Sequence, residues 1–220
     1  SHVRYPGYHT LAYLHPNHFT PDVNVLKELN VQPNQKYVIV RFVSWNASHD
    51  KGHQGISFEN KIRALRVFEK YAKVFISSEK ELPQELKPFQ IKIAPEKIHD
   101  AIAFSSLLFG ESSTMAEEAA MLGVPSIYMY NGSTIYTQHL EKEYGLVYNF
   151  SETESDQEKA IRKGEELLQR ETAFNDWNIK RKKMLLDKID VTSFLVWFIE
   201  NYPPSSSIIK NDPNYQFRFK

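Results

Sequence analysis

Two stretches of this chain hold residue types that do chemistry at useful spacing. The first is Gly110-Glu-Ser-Ser-Thr-Met-Ala-Glu-Glu-Ala-Ala-Met-Leu-Gly-Val-Pro125. Apolar Leu107, Leu108 and Phe109 read as a buried strand leading into it. Ser112, Ser113 or Thr114 then caps a helix that packs on Met115, Ala119 and Leu122, and Gly123 with Pro125 ends it. The start of a helix gathers unpaired N–H groups and the positive end of its dipole. Both favour a phosphate, and neighbouring hydroxyls supply further donors. Glu118, just over a turn further on, is spaced to accept from a ribose. The plain alternative is a Ser/Thr cap with no ligand. Glu117 and Glu118 are adjacent and leave the helix on different sides, so at least one of them is expected to be a solvated surface charge.

The second stretch is Arg41-Phe-Val-Ser-Trp-Asn-Ala-Ser-His-Asp-Lys-Gly-His-Gln-Gly55, a strand end followed by a polar loop. Loops at strand ends are where sites are usually built. Arg41 is either a buried structural ion pair or a fork for a diphosphate. His49 and Asp50 are either a general base with its orienter or ordinary loop polarity. Trp45 either stacks on a base or sugar, or fills the edge of the core. The pair His49 and His53 has the spacing of a shared metal on a helix, but Gly52 and the loop setting argue against one. His99, near a predicted helix start, reads as a packing or capping residue.

Composition removes several classes of function. With 27 basic and 27 acidic residues the net charge is zero, so no long-range field draws the chain to nucleic acid or an anionic membrane. The absence of cysteine excludes disulfides, thiolate catalysis and Cys-ligated zinc. Phe194-Leu-Val-Trp-Phe-Ile199, the longest apolar run, falls far short of the roughly 18 to 20 residues of a bilayer span. That run reads as core, or as a seam with another domain. No signal peptide is evident, although a start at Ser-His rather than Met reads as part of a larger protein. The length of 220 residues, 41% of them hydrophobic and 25% charged, suffices for a full core.

The elements that must position these residues alternate strand and helix. Lys36–Val43 reads as a strand buried on both faces. Ser57 caps a helix with Phe58, Ile62, Leu65 and Phe68 at helical spacing. Short strands follow at Val74–Ile76 and Gln90–Ile93, then a helix from Pro95 to about Phe104 and the Leu107 strand. Further strands fall at Ser126–Tyr130 and Leu146–Phe150. Residues 157–170 form an amphipathic helix and 176–201 one or two more, before a polar tail expected to be loosely held. Repeated units of this kind predict an α/β fold, a parallel sheet flanked by helices, with ligands at the carboxyl ends of its strands.

The Gly110–Pro125 stretch resembles the donor-binding motif of GT-B nucleotide-sugar enzymes. That resemblance implies a diphosphate at Ser112, Ser113 and Thr114 and ribose hydroxyls on Glu118, five residues before Gly123. UDP-N-acetylglucosamine 2-epimerases share the pattern, with glycines where this chain has Ser113 and Thr114. Together with Arg41–Asp50, Ile76-Ser-Ser-Glu79, Pro95-Glu-Lys-Ile-His99 and Gly110–Met115, it is similar to an uncharacterised group of predicted GT-B glycosyltransferases. The group occurs in bacteria and archaea, near surface-polysaccharide genes. The resemblance spans about Tyr8 to Pro203 and implies the C-terminal, donor-binding half of a two-domain enzyme.

On that footing residues 1–35 are a linker, 36–203 a Rossmann-like nucleotide-sugar-binding domain and 204–220 a tail. The expected donor-binding set is Arg41, Ser44, Ser112, Ser113, Thr114 and Glu118, with His49 and Asp50 as the catalytic candidates. No cofactor or metal is expected, since no Asp-x-Asp motif appears. The implied partners are a nucleotide sugar and an absent N-terminal acceptor domain, and the implied location is the cytoplasm, at the inner face of the membrane. Two alternatives stay open: a hydrolysing 2-epimerase-like isomerase, and a non-catalytic nucleotide-sugar-binding module.

Overall fold

A computed structural model describes residues 3–43, 55–78, 81–132 and 134–220. Among them, β1 (Tyr37–Phe42), β2 (Lys73–Ser78), β3 (Leu107–Gly110), β4 (Ser126–Met129) and β5 (Val147–Phe150) form one wholly parallel sheet in the order β2-β1-β3-β4-β5. The central strands are apolar on both faces because helices cover both. Val38, Ile39, Val40, Leu107 and Phe109 are all buried. This is a Rossmann-like α/β fold. The chain leaves β1 toward one edge through β2 and returns to β3 on its other side. The crevice between the carboxyl ends of β1 and β3 is therefore the switch point where such sheets bind ligands.

Helices α3 (Phe58–Phe68) and α7 (Glu154–Gln169) pack together on one face. On the other face lie α4 (Ile98–Ala103) and α5 (Ser113–Leu122), with α2 (Val25–Glu28) against α4, and α6 (Ile135–His139) and α8 (Ala173–Asp187) against α5. The N-terminal segment is not a free linker. Its short helix α1 (Leu11–Leu14) packs on α5 and on α9 (Val191–Glu200). Buried Asp190 holds it there by capping α9 at the Ser193 amide while accepting from Asn17 and His18. Despite a burial that pushes it up, these donors hold the Asp190 carboxyl well below the usual carboxylate range.

Two expectations give way. Gln90–Ile93 makes one parallel bridge to Ile76 rather than a strand, since Pro88 in the preceding 3-10 turn and Pro95 after it leave too little chain to extend the ladder. Beyond Pro203 the chain forms α10 (Pro204–Asn211) and 3-10 turns over Pro213–Phe219 instead of a loose tail. Phe219 anchors it, with its ring 5.7 Å from that of Phe194 and 5.4 Å from that of Trp197.

Candidate functional site

The turn from β3 into α5 sits at the carboxyl edge of the sheet. Gly110 permits it, because a Cβ there would fall 2.1 Å from the Arg41 carbonyl oxygen of the neighbouring strand. Of the three hydroxyl candidates, Ser112 is the cap: its Oγ accepts from the Met115 amide at 3.3 Å. The amides of Ser113 and Thr114 have no acceptor among the described residues. Thr114 is exposed, and Ser113 is half-buried with its hydroxyl against that of Tyr128. At the other end Gly123 closes α5 in the left-handed conformation, at φ 77°.

Beside this turn lies a group of buried polar residues that the sequence did not single out. Glu111 accepts from the Val43 amide at 2.9 Å and from the Ile56 amide at 2.6 Å, with Lys61 3.6 Å away. It thus ties Val43 to Ile56. Glu152 accepts from the Gly55 and Asn131 amides, and Gln157 accepts from Ser57 N while its amide group donates to the carbonyls of Gly55 and Glu152. Buried carboxylates are costly unless donors of this kind surround them. Glu111 is next in sequence to Ser112, so the diphosphate candidates share one frame with Val43 and Ile56. No local pattern marks it, because its partners lie 68 and 55 residues away.

Both glutamates of α5 are buried, Glu117 at 8% and Glu118 at 7% exposure. This overturns the expectation that one of them is a solvated charge: α1 and α4 pack against α5 and cover the face that a free helix would leave open. Glu118 accepts from the Tyr13 hydroxyl at 2.9 Å and from His99 Nε2 at 3.0 Å. The carboxylate requires His99 to carry its proton on Nε2. Glu117 lies near Tyr8, whose hydroxyl is 2.6 Å from His139 Nδ1. Burial, and then the charge of Glu118, push the Glu117 carboxyl up to about 7.

Arg41 is half-buried, opposite Ser77 and Gly110 in the ladder, and its Nη1 donates to Ser77 Oγ at 2.9 Å. Its Nη1 arm is therefore directed toward β2. The candidates Ser44, His49 and Asp50, together with Trp45, Asn46 and His53, lie outside the described residues. Among the described residues, no group of three His, Cys, Asp or Glu side chains is arranged to hold a metal ion, and no helix is long and apolar enough to cross a membrane. A groove of about 640 Å³ lies at the opposite, amino end of β1 and β2, lined by Lys36, Tyr71, Lys73 and Phe89. Its lysines donate to backbone carbonyls, Lys36 to Leu168 and Lys73 to Leu29 and Asn30. Such bonds describe capped chain ends rather than a binding pocket.

Over residues 2–189 the sequence matches the family described as "Protein of unknown function (DUF354)". No curated protein matches it. Among solved structures it is similar to CalG4, the calicheamicin glycosyltransferase, at TM-score 0.53 and 12% identity, covering 84% of this chain and 45% of that one. It is similar too to WaaG, a glycosyltransferase involved in lipopolysaccharide biosynthesis, at 0.53 and 13%, covering 83% and 51%. A third is a UDP-N-acetylglucosamine 2-epimerase, at 0.51 and 16%, covering 76% and 43%. The chain spans about half the length of these proteins. Likeness at such identities establishes the fold alone: a parallel sheet flanked by helices, shared with GT-B proteins, with a helical C-terminal segment.

Proposed function

The chain belongs to the DUF354 family, and we propose that it is the donor-binding half of a GT-B-type glycosyltransferase that takes a nucleotide-diphosphate sugar. One observation carries this reading. At the switch point of a parallel sheet, the start of α5 holds two amides without acceptors among the described residues, beside an exposed Thr114 and a carboxylate just over a turn away. The diphosphate binds the Ser112–Thr114 turn, and the ribose hydroxyls bind Glu118. Arg41 adds positive charge from the end of β1, and Ser44 a further hydroxyl.

Catalysis in this proposal is stabilisation of the leaving group. As the glycosidic C–O bond breaks, negative charge grows on the departing diphosphate, and amides already fixed by the helix stabilise it without reorganising. The helix dipole takes the place of a divalent metal. His49 and Asp50, between the two segments that Glu111 joins, are assigned to proton transfer. The acceptor binds in a second domain, and surface-polysaccharide synthesis is the proposed setting.

Isothermal titration with UDP, GDP and their sugars tests the reading, using this chain and then the protein joined to an acceptor domain. Micromolar to millimolar binding is expected, and heat-silent titrations with both preparations would defeat it. Turnover of UDP-N-acetylglucosamine with no acceptor present would instead place the protein with the epimerases. Binding without turnover across acceptors would leave a binding module.

A further inference from the structure

Glu118 is held asymmetrically. Tyr13 and His99 both converge on Oε1, while Oε2 has no hydrogen-bond partner among the described residues. An ionised carboxylate has about four acceptor sites, and a buried one ordinarily fills sites on both oxygens. The side chain keeps 9% of its surface open. It stands just over a helical turn from the exposed Thr114 at the start of α5. The two donors are themselves braced. The His99 ring stands 5.5 Å from that of Tyr13 and 6.1 Å, edge-on, from that of Phe19. Tyr13 and Phe19 both come from the segment ahead of β1, so that segment joins His99 of α4 in aiming the carboxylate. Burial, then the charge of Glu118, raise the Tyr13 hydroxyl above its ordinary value and keep it a donor at every physiological pH.

We propose that Tyr13 and His99 are positioning residues: they lock Glu118 through Oε1 and present Oε2 to the vicinal hydroxyls of a ribose, so that the site selects ribonucleoside over 2′-deoxyribonucleoside diphosphates. This rests on the reading of the α5 turn as a diphosphate site. A site built to accept from a hydroxyl discriminates against the ligand lacking it, because the buried acceptor is then left unpaired. Neither residue touches the reacting bond, and each acts through the carboxylate alone.

The test is calorimetric titration with UDP, GDP, CDP and ADP, followed by the 2′-deoxy form of whichever binds most tightly. The unsubstituted chain should bind the ribo form about 10-fold or more tightly than the deoxy form. Tyr13→Phe should weaken the ribo form by about 3- to 10-fold and the deoxy form by less than about 2-fold, so the preference collapses. His99→Gln keeps an amide donor and should retain more of the preference than His99→Phe, which decides the matter if Tyr13→Phe does not fold. Equal binding of ribo and deoxy forms by the unsubstituted chain, or equal weakening of both forms by the variants, overturns the positioning role while leaving the diphosphate site intact. A chain that binds none of the four diphosphates overturns the diphosphate reading itself, and this inference with it.

Discussion

The two ends of the sheet use charge in opposite ways. At the amino end the lysines are occupied: Lys36 and Lys73 reach the carbonyls of Leu168, Leu29 and Asn30, beside a roomy groove that Glu69 also lines. At the carboxyl end Glu111, Glu117, Glu118 and Glu152 are buried, next to helix amides without acceptors. Concavity alone points to the amino end, away from the proposed diphosphate site. The proposed site instead lies where carboxylates are desolvated and a helix begins, and on that reading such charges are buried for what they position.

If that contrast holds, the largest effect belongs to Glu111. Replacing it with Ala removes the acceptor for Val43 and Ile56 N–H and strands one buried and one partly buried donor at the switch point. Glu111→Ala should lower stability by about 3 kcal/mol, read as a fall in the urea midpoint, and Glu111→Gln by less because one oxygen remains to accept. A loss below about 1 kcal/mol would mean that the clasp is incidental.

Thr114→Glu should separate stability from binding. A carboxylate in the first turn of α5 complements the helix dipole and should stabilise the fold by about 0.3–1 kcal/mol. The same charge repels a diphosphate, and nucleotide affinity should fall by about 10- to 100-fold in low salt. Melting curves and titrations on one preparation check both signs. Parallel movement of the two would break the proposal that this turn is an anion site.

The next effect is a pH dependence. The Glu117 carboxyl, ordinarily at 4.5, is held up to about 7 in the folded chain. Below pH 4.5 both states carry the proton and the full stability is present. Between 4.5 and about 7 only the folded chain keeps it, so stability falls as pH rises, and above about 7 the loss is complete. Glu117→Gln should therefore be neutral at pH 4 and stabilising by on the order of 1 kcal/mol at pH 8, allowing for partial solvent screening. Thermal melts of both proteins across that range check it, and a constant difference would remove the burial argument.

Local signals carried far along this chain. The apolar strands, the Ser57 and Ser112 caps and the Gly123 stop are each set by residues within a few positions of one another, and each is present in the structure. What sequence could not supply is who covers whom. Glu117 resembles a surface charge until α1 is laid on α5, and Glu118 meets Tyr13 across 105 residues. Glu111 looks like an ordinary loop residue until the register of β1 against β3 brings Val43 beside it. Conversely, the apolar alternation of Gln90–Ile93 promised a strand, and flanking prolines limited it to one bridge. Ser44, His49 and Asp50 fall outside the described residues, and the structure reaches that part of the chain only through the Val43 and Ile56 amides that Glu111 holds.

The smallest effect is the sharpest check on the contrast between the ends. Lys73 Nζ lies 3.0 Å from Leu29 O and 2.9 Å from Asn30 O, and its charge sits 5.2 Å from the centre of the Phe75 ring. In Lys73→Met the aliphatic stem still covers Phe75, while water reaches the two carbonyls, one of them in an exposed bond. Stability should fall by less than about 1 kcal/mol, and nucleotide affinity should stay within about 2-fold. The same substitution would be severe if the groove held the diphosphate, since a desolvated cation facing two phosphates is not replaceable by a thioether. Titration of Lys73→Met beside Thr114→Glu thus asks one question of both ends of the sheet: loss of binding at Lys73 and none at Thr114 would move the site to the amino end.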